Sequence, residues 1–174
     1  TCTDPDPDAG FTHDDNNMAR AVDRAVSVGA RVINMSLGGS PMNSTLRAAV
    51  DRATAAGIVF VISAGNEFDT DPATAVNPDP MALTALDPIA RGQILIAGAT
   101  DSSQQISAFS NRAGTGQNFY ITALGVLVRA PDENGTQFRW SGTSFAAPIV
   151  SGAVALLAQA FPNLTGRQIV DLLL

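Results

Sequence analysis

Residues 31–65, RVINMSLGGSPMNSTLRAAVDRATAAGIVFVISAG, alternate between apolar runs and a helical pattern. The runs VINMSL and IVFVISAG are short, rich in β-branched residues and apolar on both faces, which predicts buried strands. Between them Leu46, Val50 and Ala53 recur at helical spacing behind an Asn-Ser pair, either member of which can cap the helix. A helix that joins two such strands makes a parallel βαβ unit, so this stretch predicts an α/β fold.

The alternation continues on both sides of this unit. An earlier helix is predicted around Met18 and Val22 and ends at Gly29, while QILIAGAT and FYITALG are predicted strands. GVLVRAP and TQFRW predict a short hairpin, and helices are expected over 144–161 and 165–174, the second behind a Thr-x-x-Gln capping box. We expect residues 1–15 to be loop and the core, residues 16–174, to belong to a single domain.

Composition excludes several classes of protein. The net charge is −6 and the ten basic residues, all arginine, are scattered singly, so we expect no nucleic-acid partner. The longest apolar run, Ala153 to Leu157, is too short to cross a bilayer, and we expect no membrane segment. Cys2 is the only cysteine, so no disulfide closes within the chain. The chain begins on Thr1 and ends on an apolar Leu-Leu-Leu run, which suggests a piece of a longer protein.

A serine stands at the start of the predicted third helix, in SGTSFAAP (residues 141–148). Gly142 and Thr143 allow a tight turn, and the helix N-terminus that follows favours negative charge close to Ser144. The hydroxyl is therefore either a helix cap or a nucleophile beside an anion-stabilising amide. Pro148 has no N–H to donate to the Ser144 carbonyl, so that carbonyl needs another partner.

Two other stretches end strands, where parallel sheets place their sites. In VISAGNE the Asn66 side chain can donate into an oxyanion pocket, or it can simply serve a turn after Gly65. In NMSLGG the segment from Ser36 to Gly39 offers either an extended edge for a peptide or an ordinary strand-to-helix turn. Each stretch on its own leaves both interpretations open.

Taken together, VINMSLGGS, VISAGNE and SGTSFAAP resemble the subtilisin-like serine proteases in residues and in order, over nearly the whole chain. The resemblance implies a three-layer α/β sandwich around a mostly parallel sheet, and a bacterial protease that is secreted or at the cell surface, similar to secreted or autotransporter-type members of the family. It implies that Ser144 is the catalytic nucleophile and that Asn66, with the Ser144 N–H, forms the oxyanion hole. It further implies a polypeptide substrate, whose contacts fall on two groups of residues. The backbone would pair with Ser36, Leu37 and Gly38, and the side chain before the scissile bond would contact Ala64 and Gly65.

The general base that this chemistry needs is not in its expected place. A Ser-Lys dyad is excluded because the chain has no lysine. The one histidine, His13, precedes the first helix and is followed by two aspartates, whereas in the family a histidine block and a further strand come before that helix. Asp4, Asp6 and Asp8 form an Asp-Pro run rather than the family's buried aspartate block.

We therefore expect a serine endopeptidase whose aspartate and histidine blocks lie outside this chain, truncated at its N-terminal side and inactive alone. Such a chain should show no acylation by a fluorophosphonate at neutral pH. The alternative is a non-catalytic, protease-like module for peptide binding or assembly. The resemblance also implies that VINMSL normally lies inside the sheet, so that here it is an open edge prone to self-association or to pairing with the missing part of the domain.

Other classes of site fit the sequence less well. An α/β-hydrolase elbow requires glycine where Ala146 stands, and GTGQNF lacks the last glycine of a dinucleotide fingerprint. The acidic loop with Glu67, Asp69, Asp71 and Asp79 has oxygen ligands that suit calcium but not the spacing of a calcium loop. We therefore expect neither a metal ion nor a cofactor.

Overall fold

A parallel sheet forms the centre of the computed structural model, which describes residues 14–132 and 134–174. Its four strands are β1 (Val32–Met35), β2 (Val59–Ser63), β3 (Ile94–Thr100) and β4 (Tyr120–Leu124), in that spatial order. All three pairs of neighbours are parallel, so the chain crosses back over the sheet after each strand. The carboxyl ends of the strands consequently meet at one edge, where ligand sites in such sheets form.

Helices and a hairpin make up most of the remaining structure. The helices are α1 (Asp15–Ser27), α2 (Ser44–Ala55), α3 (Thr143–Ala160) and α4 (Gly166–Leu173). The predicted hairpin is formed by the antiparallel strands β5 (Val128–Pro131) and β6 (Gln137–Trp140). Three short 3₁₀ helices occupy Ala82–Leu86, Pro88–Ala90 and Gly114–Phe119.

The sheet is buried on both faces. Phe60 and Ile62 of β2 pack into one apolar cluster with α1 and α2, whereas Val59 and Val61 pack into a second cluster with α3 and α4. All four side chains are fully buried. Because successive residues of a strand point to opposite faces, this pattern requires a helical layer on each side. The expected three-layer α/β sandwich with a parallel sheet is confirmed.

Capping residues set the helix starts close to the predicted positions. The Asp14 carboxylate accepts from the Asn17 N–H at 2.9 Å, and α1 begins at Asp15. The Asn43 side chain accepts from the Leu46 N–H at 2.9 Å, so Asn43 rather than its neighbouring serine caps α2. The capping box at the start of α4 is present in both directions.

The first strand is shorter than the apolar run that predicts it. β1 ends at Met35, so Ser36, Leu37 and Gly38 extend beyond the sheet. This segment is held in place by Ser63 at the end of β2, whose hydroxyl donates to the Leu37 carbonyl at 3.0 Å. It therefore lies along the edge at which the candidate site forms.

By length and composition alone, α3 could cross a membrane, since it has 18 residues and a mean hydropathy of 1.5. Uninterrupted apolar runs in the sequence do not reveal this property, because Ser151 and Gly152 interrupt the apolar residues of the helix. Its buried residues, among them Val150 and Val154, pack on the sheet in the second apolar cluster. A core helix that covers a sheet needs such a composition, and the packing accounts for it.

Candidate active site

The start of α3 lies against the segment that follows β1. The Ser36 hydroxyl donates to the Ser144 carbonyl at 2.7 Å, and the Ser144 hydroxyl donates to the Ser36 carbonyl at 3.4 Å. The Ser144 carbonyl is available because Pro148, four residues on inside the helix, has no N–H. Ser36 thus replaces the missing helical hydrogen bond and fixes Ser144 against the strand end.

The Asn66 carboxamide is oriented by the residue before the serine. Its Oδ1 accepts from the Thr143 N–H at 2.8 Å and from the Thr143 hydroxyl at 3.0 Å. Because the oxygen of the amide faces Thr143, its Nδ2 points elsewhere as a donor. The Phe145 N–H donates to Gly142, and the Ser144 N–H in the same first turn has no partner within the helix. Neither Asn66 Nδ2 nor the Ser144 N–H has a hydrogen-bond partner among the described residues, and both residues line the same cavity.

These groups open into one cavity of about 470 Å³ at the carboxyl ends of the strands. It is lined by Gly38, Gly39, Ser63, Gly65, Asn66, Glu67, Asp79 and Ser144. Of the residues singled out in the sequence, Ser144, Asn66, Gly38 and Gly65 line it together. Ser36 and Leu37 adjoin it through the contacts described above, and Ala64 is fully buried behind the wall, where its carbonyl accepts from the Asp79 N–H at 2.8 Å.

Glu67 and Asp79 line this cavity but were considered from the sequence only as calcium ligands, and Asn111, which joins them, was given no role. Asn111 is 2% exposed, and its Nδ2 donates to Glu67 Oε2 at 2.8 Å and to Asp79 Oδ1 at 3.1 Å. Its Oδ1 accepts from the Glu67 N–H at 2.8 Å. A single buried amide thus bridges two carboxylates that stand 12 residues apart in the chain. Asn111 comes from the polar stretch SAFSN, which has no pattern that points to the site.

The Asp79 carboxyl is partly removed from water. Its pKa is raised from 3.8 to about 6, mainly by burial and then by the negative charge of Glu67 and a hydrogen bond with the Glu67 carboxyl, against the opposing Gly39 N–H. Since this pKa lies above the value of an unfolded aspartate, protonated Asp79 stabilises the fold at low pH. That contribution is complete below pH 3.8 and is lost as the pH rises through about 6.

Glu67→Gln should lower the pKa of Asp79, because it removes one negative charge and supplies an amide donor in the same space. We expect the variant to be more stable than the parent at pH 8 by about 1 kcal/mol, discounted for partial exposure, or about 2–4 °C in Tm. The gain should disappear at pH 4, where Asp79 is largely protonated in the parent. Thermal melts at both pH values and a carboxyl ¹³C NMR titration measure this.

Asp69→Asn is the matched control, since it removes a charge from the same exposed loop outside the cavity. Its Tm should shift equally at the two pH values. A Glu67→Gln variant with an unchanged Asp79 titration would contradict the proposed coupling of the two carboxyls.

The described residues do not include a candidate general base of the expected kind. His13 lies outside them, as do Cys2 and the Asp-Pro run, and residues 14–174 contain no other histidine. Within the described part of the chain, no group of three or more His, Cys, Asp or Glu side chains could hold a metal ion. The described site therefore combines a hydroxyl, two unused donors and a pocket with two carboxylates.

Comparison with known proteins places the chain in a family. The subtilase family model, Peptidase S8, matches residues 9–174. Subtilisin E of Bacillus subtilis (strain 168) is 34% identical over 150 residues, which cover 86% of this chain and 36% of that protein. The thermostable alkaline protease of Halalkalibacterium halodurans is 33% identical over 153 residues, which cover 88% and 38% of the two chains.

Solved structures show the same relationship. A cold-adapted subtilisin-like serine proteinase matches with a TM-score of 0.70 and 30% identity, over 92% of this chain and 54% of that one. The prenylagaramide maturation protease PagA matches with a TM-score of 0.75 and 25% identity, over 94% of this chain and 57% of that one. The chain thus spans little more than half of these structures, and about a third of the curated relatives' length. Since the family model covers nearly all of its residues, this chain belongs to the subtilase family of serine proteases.

Proposed function

We propose that the chain carries the acylation half of a serine endopeptidase site, with Ser144 as nucleophile and Asn66 as oxyanion-hole donor. The observation that carries the proposal is the double hydrogen bond from Thr143 to Asn66 Oδ1, which directs Nδ2 away from Thr143 in a cavity that Ser144 also lines. In this role the Ser144 hydroxyl attacks the scissile carbonyl, and its proton passes to a base. Negative charge then develops on the carbonyl oxygen between Asn66 Nδ2 and the Ser144 N–H, at the positive end of α3.

The substrate is a polypeptide. Its backbone runs along Ser36, Leu37 and Gly38, which protrude beyond β1, and the side chain before the scissile bond enters the cavity between Gly38 and Gly65. The base and its orienting carboxylate are supplied from outside residues 14–174. Without them the same cleft binds peptides and does not turn them over, which is the alternative, non-catalytic function.

Chemical rescue of the missing base tests the proposal. The 174-residue chain alone should not react with a fluorophosphonate at neutral pH, whereas added imidazole should bring about labelling at Ser144, mapped by mass spectrometry. Ser144→Ala should abolish this labelling, and Ser102, an exposed serine, serves as an internal control for non-specific reaction.

If Ser144 is labelled no faster than Ser102 in the presence of imidazole, the assignment of Ser144 as nucleophile is contradicted. Rapid stoichiometric labelling of Ser144 without imidazole would show instead that the chain already supplies a base, His13 being the available imidazole.

The open edge of β1 predicts association. Strand β1 pairs only with β2 among the described residues, and Val59 N–H donates to the Arg31 carbonyl at 3.1 Å. Along a strand, successive residues direct their backbone N–H and C=O groups alternately to the two neighbouring strands. Since the Arg31 carbonyl faces β2, the N–H groups of Val32 and Asn34 face away from β2 and can pair with another strand. We expect the isolated chain to dimerise through this edge, or to gain order from the complementary part of its own domain.

Val32→Pro should weaken such a dimer at least tenfold, because proline removes one outward donor without touching the pairing with β2. Val32→Ala, which trims the same side chain and keeps the N–H, is the control. Analytical ultracentrifugation over a concentration series measures the dissociation constant. A monodisperse monomer at high concentration would contradict the prediction.

A further inference from the structure

The cavity beside Ser144 has glycine walls and a carboxylate floor. A Cβ on Gly38 would overlap Asp79 Oδ2, and a Cβ on Gly65 would come within 2.6 Å of Asp79 Oδ1 and 2.7 Å of Glu67 Oε2. Both carboxylates therefore occupy the space that side chains on the two walls would fill. A side chain that enters between these glycines from Ser144 meets Asp79 and Glu67.

Neutral donors hold the two carboxylates in place. Asp79 accepts from the Gly39 N–H at 3.0 Å and from Asn111 at 3.1 Å, and Glu67 accepts from the Asn66 N–H at 2.7 Å and from Asn111 at 2.8 Å. Backbone and carboxamide groups orient these oxygens and carry no positive charge. The negative charge of the floor is therefore left uncompensated by its hydrogen bonds.

Cations elsewhere in the described structure are engaged with other groups. The four ion pairs of the described residues join other partners: Arg47 with Asp87, Arg52 with Asp23, Arg91 with Asp51, and Arg167 with Asp171. The Arg112 guanidinium donates to the Ser107 carbonyl at 2.9 Å and lies 3.9 Å from the centre of the Phe68 ring. Neither Glu67 nor Asp79 has a cationic partner among these residues.

We propose that this pocket selects arginine or lysine as the residue before the scissile bond, with Asp79 and Glu67 as the specificity-determining side chains. The inference rests on the proposed function, because the pocket is a substrate pocket only if Ser144 is the nucleophile. A cationic side chain that reaches the floor supplies the positive charge that the two carboxylates lack. A cavity of about 470 Å³ has ample volume for either side chain.

The competing side chains fit the floor less well. An apolar side chain displaces water from the two carboxylates without replacing its hydrogen bonds, which is unfavourable for charged groups. An acidic side chain adds a third negative charge. The raised pKa of Asp79 reports the same excess of negative charge, since it arises from burial and from Glu67.

Peptide binding to the intact 174-residue chain tests the inference without requiring turnover. Three acetylated, amidated tetrapeptides, Ala-Ala-Pro followed by arginine, citrulline or leucine, are titrated into ¹⁵N-labelled chain at pH 8, above the pKa of Asp79. Citrulline is the matched control because it keeps the shape of arginine and lacks its charge. We expect the arginine peptide to bind about tenfold more tightly than either other peptide, with the shifted amides centred on Gly38, Gly65 and Asn66.

Variants assign the preference to the two carboxylates. In Glu67→Gln/Asp79→Asn the arginine and citrulline peptides should bind equally, whereas in Asp69→Asn the preference should persist. A preference that survives the double variant, in a chain whose amide spectrum remains folded, would overturn the inference. If the double variant does not fold, the isosteric Glu67→Gln change is tested alone. It should reduce the preference for the arginine peptide over the citrulline peptide at least twofold.

The same titrations separate the two proposals. Equal binding of all three peptides at these amides would overturn the charge selection and leave the substrate cleft in place. If no peptide perturbs the amides of Ser36 to Gly38 or Ser144, the proposed function itself is contradicted, and the inference fails with it.

Discussion

Asn111→Asp is expected to destabilise the chain by about 3–5 kcal/mol at pH 8, and by much less at pH 5. The change replaces one NH₂ group by oxygen, so the donor that bridges Glu67 and Asp79 becomes a third acceptor between them. Asn111 is 2% exposed, and solvent cannot take over the lost contacts. Three carboxylates in one place cannot all remain ionised, so the pKa values in the cluster rise and the fold is favoured only when protons are bound.

The sign of the pH effect follows from that rise. Folded-state pKa values above those of the unfolded chain make stability fall as the pH increases through them. Thermal unfolding followed by circular dichroism should show a Tm lower by about 10 °C or more at pH 8 and a smaller loss at pH 5.

Asn134→Asp is the matched control, because Asn134 is exposed in the turn between β5 and β6 and the chemical change is identical. Its effect should stay within about 0.5 kcal/mol at both pH values. Equal Tm changes in the two variants would show that Asn111 does not bridge the carboxylates.

Asn66→Asp is expected to slow acylation of Ser144 by about 100- to 1000-fold under imidazole rescue, with little loss of stability. Aspartate retains an oxygen that accepts from the Thr143 N–H and hydroxyl, so the orientation of the side chain is kept. It lacks the Nδ2 donor, and its charge opposes the oxyanion that forms on the fluorophosphonate. The variant therefore separates the electrostatic role of residue 66 in acylation from its structural role as the partner of Thr143.

Two measurements are needed for this variant. Time courses of labelling at Ser144 give the acylation rate, and thermal melts report whether the Thr143 contacts survive. Asn134→Asp again controls for the added charge and should label at the parent rate. An unchanged rate for Asn66→Asp would remove Asn66 from the oxyanion hole and leave it as a capping partner of α3.

The strands and helices could be predicted because their signals are local. The apolar runs before and after α2 fix β1 and β2, and Asn43 and Thr165 cap their helices through residues three positions away. The three-layer arrangement follows from β2, whose alternate side chains are apolar on both faces. Boundaries were less accurate, since β1 ends at Met35 and leaves Ser36 outside the sheet.

The site could be predicted only in part. The sequence drew attention to Ser144, Asn66 and the segment after β1, and it showed that Pro148 leaves the Ser144 carbonyl free. It did not identify Ser36 as the partner of that carbonyl, because the two residues stand 108 positions apart. It considered Asp79 only as a calcium ligand in an acidic loop, and it gave no role to Asn111.

The sequence by itself determined which segments are strands and helices and drew attention to the residues proposed as nucleophile and oxyanion donor, since these depend on spacing and on motifs a few residues long. Only the tertiary structure decided that Asp79 reaches the glycine wall at Gly65, where Asn111 joins it to Glu67 and the two carboxylates give the pocket its negative floor. The physical reason is that the paths of the loops after β2 and β3 depend on how each packs against the rest of the fold. A carboxylate in a loop has the same local pattern whether it faces water or another carboxylate, and only the folded chain distinguishes the two.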